Sequence, residues 1–250
     1  MGFPEVPPNL DQNLLVLQTW GFLVPFVWGF SAKWLPVFLG LQPARGKIIL
    51  AGIGINTASI GAAFVGWTRF AVLGFVTSAV VAIVALGLFR HSEKAPKLNG
   101  VHFSLPFFVR LSYVWALVAG LLGVWAASAD NAHGIWGASR HALTVGFLST
   151  MVFAIGQRVL PAFSGMKLLF STKLMFATLF LLTLGCALRV TAEVLAYQGF
   201  RYSAWSWLPV SALIELTAVS LFAINLILTF ASKPDAPNRL LSFCPVQQQS

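Results

Sequence analysis

Seven long apolar runs, set apart by short stretches rich in polar residues, Pro and Gly, organise this 250-residue chain. They fall near 14–39, 47–67, 70–89, 106–127, 137–160, 167–190 and 205–231. A helix crosses the ~30 Å apolar core of a bilayer with about 20 residues, and the runs are of that length. The strands of a closed barrel would alternate apolar and polar positions in shorter pieces. These runs are apolar at successive positions, so the pattern predicts an all-α polytopic bundle of about seven transmembrane helices. Polar breaks such as 41–46, 90–100 and 129–134 read as loops. Residues 1–232 form one transmembrane domain, and 233–250, with Pro234, Pro237 and three consecutive glutamines from Gln247, is expected to be a disordered tail.

Composition removes the soluble alternative. Hydrophobic residues make up 58% of the chain and charged residues 9%, whereas a water-facing surface needs roughly a quarter charged. Cys186 lies deep in an apolar run and Cys244 in the tail, so neither a disulfide framework nor a Cys-x-x-Cys site is expected. No Lys or Arg precedes the first run, which is therefore expected to be a retained span rather than a secretory leader.

The net charge of +9 would suggest nucleic acid in a soluble protein. Here the basic residues stand singly between apolar runs and report topology instead, with the lipid bilayer as the expected partner and no nucleic acid. Arg45, Lys47, Arg90, Lys94, Lys97, Lys167, Lys173, Lys233 and Arg239 fall in one set of connections, against Arg69, Arg140 and Arg201 in the other. The positive-inside rule places the larger set in the cytoplasm. The expectation is an N-out, C-in protein of the bacterial inner membrane with a cytoplasmic tail. Trp67, Trp125, Trp136, Trp205 and Trp207 sit near the outer ends, where indole rings favour headgroups.

Ionisable groups within a span are costly unless they pair, snorkel or line a polar cavity. Lys33, Arg110 and Arg158 lie in the inner third of their runs, where long side chains can reach the headgroups. Arg189 and Glu193, four apart, can form a local ion pair or serve a cofactor or partner. Glu215 is too deep for its short stem to reach the outer surface. It joins Asn56, Thr57 and Asn225 as groups that either bind helices together or line a path. Among the histidines, His91, His102 and His133 read as solvated. His141, directly after Arg140 and with Thr144 at i+3, opens a run with a polar face, and neutral imidazole suits haem iron or copper.

The stretch His141-Ala-Leu-Thr-Val-Gly-Phe-Leu-Ser-Thr-Met151, continuing to Gln157-Arg158-Val159, resembles the NnrS family of bacterial membrane proteins, described as containing haem and copper and associated with nitric-oxide stress. Arg110-Leu-Ser-Tyr-Val-Trp115 and Ala187-Leu-Arg-Val190 extend the resemblance over roughly 106–230, and Gly21 to Phe30 echoes a Gly-Phe-rich early helix. Family members carry more helices than this chain. Where they often have Gly-His-Thr-Gly after the Arg-Val step, this chain has Ala162-Phe163-Ser164-Gly165, with Phe163 in place of the histidine. The resemblance implies a haem-associated protein of nitric-oxide response or respiratory metabolism. His141 would be the metal ligand, with Arg140, Thr144 and Arg189 around the cofactor, and copper as the other metal. The residues leave two further readings open. One is a cofactor-free accessory subunit of a respiratory membrane complex. The other is a small-molecule transporter whose path is lined by Asn56, Arg189, Glu193 and Glu215.

Overall fold

The computed structural model describes residues 8–90, 94–129, 133–163, 168–199 and 202–232. Among these every regular element is helical. Seven helices are long and apolar enough to cross a membrane: α1 (Gln12–Leu39), α2 (Gly46–Phe64), α3 (Thr68–Leu86), α4 (Leu105–Ser128), α5 (Gly134–Phe163), α6 (Thr172–Tyr197) and α7 (Ser203–Ala231). This is the all-α, multi-pass bundle that the apolar runs predict. The tail from 233 and His91 lie outside the described residues, as does the side chain of His133. The two ends of the bundle are named outer and inner after the basic-residue asymmetry.

Short connections make consecutive helices pack side by side, with α2 on α3 and α6 on α7 forming the most extensive contacts. In α3 and α5 half of the most apolar stretch is buried, but in α2 and α7 only 22%. The first two are therefore central and the last two peripheral. Trp28, Tyr113, Phe147, Met175 and Leu179 are fully enclosed. Phe22, Leu50, Phe70, Leu213 and Ile227 point outward with most of their surface uncovered. In water such a surface would drive aggregation, whereas against lipid it costs nothing. Small residues let the central helices approach, as membrane packing requires when lipid is as apolar as the interface. A Cβ on Gly120 of α4 would stand 2.7 Å from Val76 of α3.

Six of the seven spans begin and end within three residues of the expected positions, α5 running three residues longer at each end. The sixth differs more, starting at Thr172 instead of 167 and running to Tyr197 instead of 190. The cause lies in α7. Thr229 Oγ1 accepts the Phe170 N–H at 2.9 Å, and Asn225 Oδ1 accepts the Ser171 N–H at 3.1 Å. Asn225 Nδ2 also donates to the Ser171 carbonyl and to Gln157 Oε1 of α5. Held this way, 170–171 cannot be helical, and the Ser171 hydroxyl instead caps α6 by accepting the Leu174 N–H. Because α6 runs on to Tyr197, Arg189 and Glu193 lie farther inside their helix than the apolar run suggests.

Two helices are locally widened. Leu17–Leu23 of α1 and Ala142–Ser149 of α5 are π-helical, an irregularity that frequently marks functional sites. In α1 the Trp20 carbonyl accepts a hydrogen bond of 2.6 Å from Asn56 Nδ2 of α2. In α5 hydroxyls do the equivalent work: Ser149 Oγ donates to the Thr144 carbonyl and Thr150 Oγ1 to that of Val145. Trp115 of α4 presses on the widened turn at Gly146, where a Cβ would come within 2.6 Å of the indole.

Candidate functional site

His141 is the last residue before the widened turn of α5. Its Nε2 lies 2.7 Å from Oε1 of Glu215, halfway along α7. The sequence offered these two groups as unrelated candidates 74 residues apart; the fold makes them one pair. Glu215 reaches α5 because α6 has no side chain in the way at Gly185, where a Cβ would stand 2.6 Å from Glu215 Cγ. Cys186, the next residue of α6, is fully buried, with its sulfur 4.0 Å from the His141 carbonyl oxygen. Three helices thus converge on one hydrogen bond. The His141 and Glu215 side chains keep 21% and 17% of their surface uncovered, so the pair sits at the edge of the core and not sealed within it.

Farther toward the outer end of the same seam, Arg189 Nη2 and Glu193 Oε1 are 3.3 Å apart, the local i,i+4 pair that their spacing predicts. Glu193 is almost completely buried against Gly137 of α5, where a Cβ would stand 3.0 Å from Oε1. Arg189 Nε and Glu193 Oε2 are buried without hydrogen-bond partners. With a neutral imidazole the seam carries one positive and two negative groups, so one added proton at His141–Glu215 makes it neutral.

The other candidate residues do not join His141. Arg140 and Thr144 are four apart and share a face, Arg140 turned about 100° and Thr144 about 60° from His141 on a regular helix. With Trp20, Phe75, Trp136 and Leu143 they line a cavity of about 290 Å³ between α1, α3, α4 and α5. The Thr144 hydroxyl donates to the Arg140 carbonyl, and Arg140 Nε to the Trp136 carbonyl. The expectation that Thr144 extends the His141 face is therefore corrected: it belongs with Arg140. Asn56 proves to be a structural tie to Trp20. Arg110 donates from Nε to the Leu88 carbonyl at 2.8 Å, just past the inner end of α3. His102 is half-buried against Phe103 and Phe176, with Nδ1 2.7 Å from Ser104 Oγ, rather than fully solvated.

The grouping of Gln157, Ser171, Asn225 and Thr229 escaped the sequence reading, which singled out Asn225 alone. The available signal was the presence of uncharged polar groups near the inner ends of both the fifth and the seventh runs.

Whether this donor set fits a haem follows from the ring. A metal-bound imidazole usually gives Nε2 to the metal and Nδ1–H to a carbonyl or carboxylate. Here Nε2 faces the carboxylate. The two arginines that the resemblance places around the cofactor stand in different surroundings, Arg140 at the cavity and Arg189 against Glu193. Among the described residues no three His, Cys, Asp or Glu side chains cluster as metal ligands. As it stands, His141 Nε2 is held by a carboxylate and is not turned toward an open ligand position.

No curated protein and no solved structure matches the chain. Residues 105–229 match the family model described as Domain of unknown function (DUF8744). The match runs from the start of α4 almost to the end of α7 and includes His141, Cys186, Arg189, Glu193 and Glu215. The chain belongs to this family of domains of unknown function, and the whole polar seam lies inside the part that defines it.

Proposed function

We propose that this chain is a proton-linked small-molecule transporter of the bacterial cytoplasmic membrane, with His141–Glu215 as its proton site. The observation that carries the reading is the position of the pair. It joins two membrane-spanning helices at the residue just before a widened turn, and one face of that turn also walls the Arg140–Thr144 cavity. Protonation changes the charge of the hydrogen bond that ties α5 to α7. A π-helical turn, with its displaced hydrogen bonds, is the place where α5 can respond most cheaply. Solute in the cavity and proton on the pair are thereby linked through one segment.

Proteoliposomes holding a trapped pH-sensitive dye test this. Solutes drawn from a panel of small organic anions and neutral amphiphiles should move protons in the wild-type protein, and E215Q should abolish that movement while inserting normally. Solute-driven proton flux that persists in E215Q overturns the assignment.

A second reading keeps the NnrS resemblance, and a specific observation favours it: a carboxylate that holds an imidazole is also how metal-binding histidines are oriented. In that reading the protein is haem- or copper-associated, in nitric-oxide response or respiratory metabolism, or is a subunit beside such proteins. His141 would offer the metal its remaining nitrogen or turn its ring. The absorbance spectrum and copper content of protein from haem-replete cells separate the readings. A Soret band lost in H141A supports the haem reading and displaces the first.

A further inference from the structure

A second cavity, of about 510 Å³, lies near the inner end of the bundle between α1 and α5, closed by 99–101 and by Leu168 and Leu169. On the α1 side its wall is Phe30, Trp34 and Phe38, spaced four apart so that one helix face presents a ladder of rings with centroids 6.3 and 5.8 Å apart. On the α5 side stand Val159, Pro161, Ala162 and Phe163. Among the described residues no Asp or Glu lines it. Its one charged lining residue is Arg158, whose guanidinium carbon lies 4.3 Å from the Phe38 ring centroid. Arg158 Nη1 is buried and has no hydrogen-bond partner. Arginine stays charged under all ordinary conditions, so an unpartnered N–H held against aromatic rings is costly unless an anion completes it.

Depth and size limit the anion. At about 1.5 Å per residue, Arg158 stands about 14 Å from the midpoint of α5. The apolar core of a bilayer ends about 15 Å from its centre, which is where lipid phosphates begin. The cavity is far larger than an ion needs, since a water occupies about 30 Å³, and its walls are mostly apolar. Trp34 and Phe163 remain uncovered at its mouth, so it opens sideways between α1 and α5. More positive charge stands nearby: Lys33 lies 5.6 Å from the Trp34 ring centroid, and the Lys97 N–H is bonded to the Phe38 carbonyl.

We propose that this cavity is a binding site for an anionic phospholipid of the inner leaflet, its phosphate on Arg158 and one acyl chain along Phe30, Trp34 and Phe38. Basic pockets between membrane helices on the cytoplasmic side are suited to such headgroups. The guanidinium fork matches a phosphate, and a charge-assisted bond of this kind accounts for about tenfold in affinity.

Native mass spectrometry of the full chain, released from micelles with equimolar phosphatidylglycerol and phosphatidylcholine, reads the site directly. Wild-type protein should retain one phosphatidylglycerol in preference to phosphatidylcholine. R158Q should reduce that preference about tenfold. R158K, which preserves the charge should R158Q fold poorly, should keep most of it. A162W, which fills the cavity without touching the charge, should lose the retained lipid of either kind. Absence of any preference in the wild type, an unchanged preference in R158Q, or a lipid still held by A162W would each overturn the assignment. So would displacement of the lipid by millimolar inorganic phosphate, which would identify a free anion as the occupant.

Discussion

Two acid–base pairs lie along one seam, and they are built on different plans. Arg189 and Glu193 stand one helical turn apart on α6, so their contact follows from the helix alone. His141 and Glu215 stand on α5 and α7 and meet only because Gly185 of the helix between leaves room. The first pair neutralises charge that lipid would reject, and the arginine keeps it permanently ionic. The second ties two spans together, and in the proposed function it is the pair that exchanges a proton. On that proposal one seam contains a fixed pair and a switchable one.

The sharpest way to separate them is to remove one partner of the fixed pair. E193A strands the Arg189 guanidinium and should cost about 3 kcal/mol, near the low end for a broken buried pair because Arg189 is still 32% exposed. Replacing both residues by apolar ones of similar size should recover most of that loss. Reversible unfolding in mixed micelles reads both, and a double variant no better than E193A would mean that the pair does more than neutralise itself.

Adding a methyl group at Gly185 strikes the other pair. G185A should push Glu215 away from His141 at a cost of about 2 kcal/mol, as overpacked sites do, while leaving Arg189–Glu193 in place. Infrared spectra of the carboxyl region should then report a Glu215 no longer bonded to imidazole. An unperturbed Glu215 signal would show that α7 slides past without consequence.

The smallest stability effect belongs to E215Q. The amide can still hydrogen-bond to His141, so the loss should stay near 1 kcal/mol. Its signature is chemical: the solute-driven proton movement proposed for the wild-type protein should disappear. Comparable loss of folded protein in E215Q and E193A would erase the distinction between the pairs.

Much of the scaffold was legible in the chain because a bilayer imposes a strong and local rule. Each span must be apolar for about 20 residues, and each must satisfy its own backbone. The start of α6 was misplaced because an apolar run says where a helix is permitted, not where it begins. Phe170 and Ser171 are drawn out of helix by Thr229 and Asn225, more than 50 residues away. That Arg140 and Thr144 line a cavity without His141 was hidden for a related reason. Residues close in sequence lie on different faces of a helix, and sequence alone does not say which helix each face meets. The widened turns were invisible too, since no Pro lies within either stretch and the hydroxyls that stabilise the one in α5 are common in any helix.

By itself, then, the sequence determined that seven helices can span a membrane, which end carries the excess of positive charge, and that Arg189 and Glu193 can meet. These depend on hydropathy, on charge between spans, and on the pitch of a single helix. Only the tertiary structure decided that Glu215 belongs to His141, that Arg140 faces a cavity with Trp20 and Phe75, and that Arg158 Nη1 is buried without a hydrogen-bond partner beside the Phe38 ring. Those outcomes depend on which faces of separate helices come together, and that is set by close packing at small residues such as Gly146 and Gly185. A missing side chain decides a contact as firmly as a present one, but only where a neighbouring helix arrives to use the space.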